Sequence, residues 1–197
     1  MGIYLTSIGA EEWFDEGEDA DEEEDAGFGA VASGLNEELR RRGLPPYESV
    51  PPESDDLAFS EKLSPPMDGF VALCGAHLTR EEEERLCGWS VLVPVSLDEE
   101  IHLPIGSAYT DETVIAGAPQ VLALAQRLAW AIGLPPVLPV ESPHLGLTRW
   151  LLDGSARETA AARPGPWADD LDAAFYVGLY LRAAQYSLRH GCPIVYS

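Results

Sequence analysis

The sequence predicts a single α+β domain over residues 1–197: a mixed sheet packed by about four helices, with a long C-terminal helix in the core. Three observations carry this. Apolar runs of strand length are interleaved, in irregular order, with stretches of helical periodicity. The chain has 197 residues, 46% of them hydrophobic, enough for one substantial core and cramped as two domains. Residues from about Asp169 to Arg189 set apolar side chains along two stripes. Leu171, Phe175, Leu179, Arg182 and Tyr186 form one, and Tyr176, Tyr180 and Ala184 the other. A helix apolar on two sides is expected in the centre of a fold.

The elements follow in order. Ile3 to Ile8 reads as a first strand. Glu11 to Asp25 holds eleven carboxylates and no basic residue, and reads as an acidic loop over 11–26. Gly27 to Arg42 has helical spacing through Val31, Leu35 and Leu39, with Arg40, Arg41 and Arg42 complementing the dipole at its end. It stops at Gly43-Leu44-Pro45-Pro46. The same four residues recur at Gly133-Leu134-Pro135-Pro136, after a helix from about Pro119 to Ile132. In both, glycine supplies a left-handed residue, leucine folds back on the last turn and proline forbids continuation.

Residues 43–68, with three Pro-Pro pairs, read as a Pro-rich surface connection. Gly69 to Cys74 reads as a strand. Thr79 to Cys87 reads as a short helix with Thr79 and Glu82 as its capping box. Trp89 to Val95 and Thr113 to Ala116 read as strands, the latter feeding the 119–132 helix. Asp169, Asp170 and Asp172 favour the positive end of the last helix, Gly191 and Pro193 stop it, and Ile194 to Tyr196 closes as a strand.

Charge is the most informative feature. The net charge is -22, and residues 1–100 carry 26 acidic against 6 basic side chains while residues 101–197 carry 8 and 6. Halophilic adaptation would spread the acidity over the whole chain. Such a field disfavours direct nucleic-acid binding and anionic membrane surfaces. The longest apolar stretch, Val121 to Val140, is interrupted by Gln126, Arg127 and two prolines, so no membrane span is expected. Met1 to Thr6 lacks the basic start of a signal peptide, and Met1-Gly2 with Thr6 meets a myristoylation pattern only superficially. Three cysteines, Cys74, Cys87 and Cys192, suggest reduced thiols and a cytoplasmic protein.

Catalytic signatures are weak. Cys74, His77 and Cys87 lack a second tight pair at zinc spacing, and neither a metal nor a cofactor is expected. Gly88-Trp89-Ser90-Val91-Leu92 fails the nucleophile-elbow pattern. Ser142, His144 and Asp153 assemble into a triad only on paper. Glu81 to Glu84 are explained by the first turn of a capped helix, where negative charge is stabilising.

The run from Glu11 to Asp25 has no such explanation, and it is flanked by Trp13-Phe14 and Phe28, aromatics of the kind that anchor interfaces. The sequence therefore favours a binding protein over an enzyme. It would neutralise or sequester a cationic protein, a toxin or a nucleic-acid-binding protein, as immunity proteins and inhibitors do on electrostatic grounds. The contact would comprise Glu11, Glu12, Trp13, Phe14, Asp15, Glu16, Glu18, Asp19, Asp21, Glu22, Glu23, Glu24 and Asp25, with Glu81 to Glu84 as a second patch. The alternatives are a small hydrolase using the C-terminal half, around His102, Asp111 and His144, and a Cys/His metal-binding protein.

Overall fold

In the computed structural model, which describes residues 2–15, 28–48, 58–106, 111–136, 138 and 142–197, the apolar runs pair into one mixed sheet. Its strands among the described residues are β1 (Tyr4–Ser7), β2 (Ser60–Lys62), β3 (Val91–Val93), β4 (Ile101–Leu103), β5 (Thr113–Gly117) and β6 (Ile194–Tyr196). They lie in the order β2-β1-β6-β3-β5-β4. The β3–β5 pair is parallel and the other pairs are antiparallel.

Alternation along the strands splits the core in two, because successive side chains point to opposite faces. Val91, Val93, Ile101, Leu103, Ile115 and Val195 face one side, where they pack on α1 (Ala10–Phe14) and α2 (Gly29–Arg41). Leu5, Leu92, Ala116 and Ile194 face the other. There they meet α3 (Asp68–His77), α4 (Arg80–Cys87), α5 (Ala118–Ala131), α6 (Gly146–Leu152), α7 (Ser155–Ala162) and α8 (Leu171–His190). The sheet is thus the middle of three layers. Helix α8 buries twelve of its twenty residues, which makes it the enclosed helix that its two stripes predict. Among the described residues no helix is long and apolar enough to cross a membrane.

The helix ends obey the local chemistry. Gly43 and Gly133 adopt φ of 73° and 62°. The amides of Leu44 and Leu134 reach back to the carbonyls of Leu39 and Ala129, both at 2.8 Å, while the glycine amides bond Arg40 and Trp130. The two stops are the same Schellman geometry, as their shared tetrapeptide implies. In α4 the Thr79 hydroxyl accepts from the Glu82 amide at 3.2 Å, and the Glu82 carboxylate accepts from the Thr79 amide at 2.8 Å.

Four assignments differ from expectation. Residues 69–74 are helical, within α3. Phe70 and Cys74, four apart, are buried, while Ala72, which a strand would turn to the same face, is exposed. Eight α-helices occur among the described residues where about four were expected, because α1, α3, α6 and α7 join the count. Residues 11–14 belong to α1 rather than to a loop. The stretch 43–68 is more than a surface connection: it contributes β2, buries Tyr47 and Phe59, and places a carboxylate, Glu61, at 0% exposure.

Glu61 fastens the β2 edge to the helices. Its carboxylate accepts from the amides of Leu147 (2.7 Å) and Thr148 (2.9 Å), the otherwise orphan donors of α6, and from the Thr148 hydroxyl (2.8 Å). Arg182 of α8 brings its guanidinium to 3.7 Å and donates to the Ser142 carbonyl at 2.8 Å. Burial pulls the Arg182 pKa below its ordinary value, and the Glu61 charge opposes that pull. Removing one member of such a cluster strands the others without water, so Glu61→Ala is expected to cost about 3–5 kcal/mol of unfolding free energy in urea titration.

Glu82 joins two helices: Arg127 of α5 grips it at 2.9 and 2.5 Å. That hydrogen bond, followed by the Thr79 amide, lowers the Glu82 pKa from 4.5 to about 2. The stabilisation is therefore complete above pH 4.5 and is lost as pH falls towards 2. Urea midpoints of wild type and Glu82→Gln should differ at pH 7 and converge on acidification through this window.

Candidate docking surface

Helix α1 is too short to hold itself together in water. Its first-turn carboxylates, Glu11 and Glu12, suit the positive end of a helix, yet what fixes it is Trp13. The Trp13 ring is 0% exposed. It stacks near Phe28, with centroids 6.2 Å apart and planes at 21°, and meets the edge of Tyr47 at 6.0 Å. Val31, Ala32, Leu35 and Leu39 of α2 complete the same core. The indole Nε1 has no hydrogen-bond partner among the described residues, a cost of about 1–3 kcal/mol. Burying a tryptophan ring removes roughly 150–250 Å² from water, worth about 4–6 kcal/mol at ~25 cal/mol per Å², so burial wins.

Tyr47 is itself held from three sides. Its amide donates to the Asn36 side chain at 2.6 Å, its carbonyl accepts from that side chain at 3.1 Å, and its hydroxyl donates to the Gly191 carbonyl at 2.8 Å. The tryptophan seat is thus built from α1, α2, the segment after α2, and the turn after α8.

This seat fixes what faces outward. With Trp13 inward, Glu11, Glu12 and Asp15 are exposed and Phe14 keeps 46% of its surface in water. The Gly29 amide donates to the Asp15 carbonyl at 2.9 Å. The two ends of the chain that flank residues 16–27 are therefore joined, by that hydrogen bond and by the Trp13–Phe28 contact.

The expected contact residues sort into three groups. Glu11, Glu12, Phe14 and Asp15 lie together at the surface. Trp13 is corrected: it is an internal anchor, and a partner cannot touch its ring. Glu16, Glu18, Asp19, Asp21, Glu22, Glu23, Glu24 and Asp25 lie outside the described residues. Sequence reasoning missed Tyr47 and Asn36 because their roles depend on a chain reversal within the Pro-rich stretch. The second patch is partly neutralised. Glu82 is gripped by Arg127, and Glu84 accepts from Arg80 at 3.0 Å.

The residues proposed for other chemistries do not converge. His102 sits on the β4 edge against Glu112 at 3.2 Å. His144 lies beyond the opposite edge, bridged to Ser60 of β2. The His144 amide bonds the Ser142 hydroxyl at 3.1 Å, whereas Asp153 accepts from the Ser155 amide at 2.9 Å. Among the described residues no three His, Cys, Asp or Glu side chains are placed to hold a metal ion. Cys74 is buried, Cys87 is half-buried and His77 is exposed. A half-open groove of about 350 Å³ lies between the β2–α3 segment, the α6–α7 turn and the start of α8, with Arg157 and Asp172 as its charged residues. A smaller one of about 260 Å³ is lined mainly by Leu73, Ile132, Pro166 and Trp167.

The division between anchor and surface is measurable. Trp13→Ala should cost about 3–5 kcal/mol in denaturant unfolding. The triple change Glu11→Gln, Glu12→Gln, Phe14→Ala should stay within about 1 kcal/mol of wild type. Neither a family model, nor a curated protein, nor a solved structure matches this chain.

Proposed function

We propose that this protein is an acidic binding module that neutralises or sequesters a cationic protein partner, in the manner of an immunity protein or inhibitor. The observation that carries the reading is the Trp13 seat. Because that ring is buried, α1 presents Glu11, Glu12, Asp15 and Phe14 together on the surface, where the chain enters its most acidic run.

The physical case rests on charge concentration. Eight carboxylates, from Glu16 to Asp25, follow directly on the exposed Glu11, Glu12 and Asp15, with no basic residue among them. Charges grouped within a Debye length, about 8 Å at physiological salt, add to one attractive field for a cation. Such a field raises association rates and rejects anionic competitors, while an exposed aromatic such as Phe14 supplies contact area that charge alone lacks. A partner whose own task is to hold phosphates, for example a basic nuclease, has the complementary surface.

The test replaces residues 16–25 by an equally long Gly/Ser segment, which keeps the Asp15–Gly29 closure. The replaced variant should bind a basic nuclease-type partner at least about tenfold more weakly than wild type, and wild-type binding should weaken steeply between 50 and 500 mM salt, as expected of screened ion pairing. Equal affinity of both proteins for that partner would remove the acidic run as the site. A loss in the Glu11→Gln, Glu12→Gln, Phe14→Ala variant alone would confine the contact to α1.

A further inference from the structure

We infer that the groove between the β2–α3 segment, the α6–α7 turn and the start of α8 binds a free α-amino acid with an apolar side chain. Those elements pack on the opposite side of the sheet from α1 and α2, so the inference stands apart from the acidic surface.

The walls of the groove are fixed by the fold. Pro65 and Pro66 form one wall, where each ring sets φ and neither residue has an amide hydrogen. The Tyr176 hydroxyl donates to the Pro65 carbonyl at 2.6 Å and ties that wall to α8. The α6–α7 turn is closed by the Ser155 amide on the Asp153 carboxylate at 2.9 Å. One turn further, the Thr159 hydroxyl donates to the Ser155 carbonyl at 2.7 Å and accepts from the Trp150 indole at 3.2 Å. At the third wall Asp170 caps α8, accepting from the Ala173 amide at 2.9 Å. None of these bonds uses the side chain of Arg157 or Asp172, the two charged residues of the groove.

Those two charges carry the argument. Arg41, Arg42, Arg80, Arg85, Arg127 and Arg182 each lie within ion-pair distance of a carboxylate. Arg157 does not, although the chain has a net charge of -22 and Asp172 lines the same groove. Among the described residues Asp172 has no ion pair either. A cation and an anion that share a groove without meeting leave room for a ligand that carries both charges. An apolar carboxylate would engage Arg157 and be repelled by Asp172, and an apolar amine the reverse. A zwitterion satisfies both: the guanidinium fork matches its carboxylate, and Asp172 accepts from its ammonium.

The rest of the lining is mainly apolar. Leu151, Leu152 and Leu171 join the two prolines. Leu152 leaves 68% of its surface in water, and covering it with an aliphatic or aromatic side chain favours the complex. The Ser64 hydroxyl, on the same groove, is buried without a hydrogen-bond partner among the described residues, a cost that a polar ligand atom relieves. At about 350 Å³ the groove stands at the lower end of the ~300–1,000 Å³ usual for small-molecule sites, which suits a ligand of amino-acid size.

The experiment titrates the native chain with L-leucine and follows binding by calorimetry and by amide chemical shifts. L-Leucine should bind saturably below about 10 mM and shift the amides of Leu151, Leu152, Arg157 and Leu171. N-acetyl-L-leucine lacks the ammonium, L-leucinamide lacks the carboxylate and glycine lacks the apolar side chain. Each should bind at least about tenfold more weakly. Arg157→Gln and Asp172→Asn should each weaken L-leucine at least about tenfold, while the urea midpoint of unfolding stays close to that of wild type. No saturable binding of L-leucine, equal affinity for its N-acetyl form, octanoate binding as tightly as L-leucine, or unchanged affinity in both variants would each overturn the proposal.

Discussion

The fold depends on where its last strand goes. β6 lies between β1 and β3, pairing Leu5 with Tyr196 on one side and Val91 with Val195 on the other. Without it the sheet is two separate pieces, β2-β1 and β3-β5-β4. β6 in turn is delivered by α8, which ends at Gly191 with φ of 63°, so the long enclosed helix and the joining strand act as one unit. Its two faces serve both cores: Ile194 packs with α3–α8 and Val195 with α1 and α2. The Tyr47 hydroxyl bonded to the Gly191 carbonyl carries the same constraint into the Trp13 seat.

What the sequence disclosed follows from the reach of its signals. Local rules performed well: two helix stops with glycine in the left-handed region, one capping box, the apolar strands β3, β5 and β6, and the doubly apolar α8 all depend on neighbours within a few residues. β2 was illegible because its inward residue is a carboxylate. Ser60-Glu61-Lys62 contains no apolar side chain, and Glu61 belongs inside only because α6 supplies donors 86 residues later. β4, Ile101-His102-Leu103, is too short for its alternation to stand out. In α3 a short apolar run fitted either period, and tertiary packing of Phe70 and Cys74 decided it.

The same contrast applies to the candidate surface. Composition locates the acidic run, but of the two adjacent aromatics within it Trp13 is an internal anchor and only Phe14 is at the surface. Trp13 and Phe14 are adjacent in sequence and opposite in role, one at 0% and the other at 46% exposure. Hydrophobicity alone cannot separate them. The distinction comes from Tyr47 and Phe28 closing over one ring, a contact between segments that no local pattern links.

The hydrogen bond between Gly29 and Asp15 has an evolutionary side. Where two points of a chain are fastened to each other, the entropy of closing the stretch between them grows only slowly with its length. Phe28, which lies between those points, must stay because it packs on Trp13, whereas the length of the stretch before it is a small term. A lineage could thus lengthen or shorten the stretch between Asp15 and Phe28 at small entropic cost.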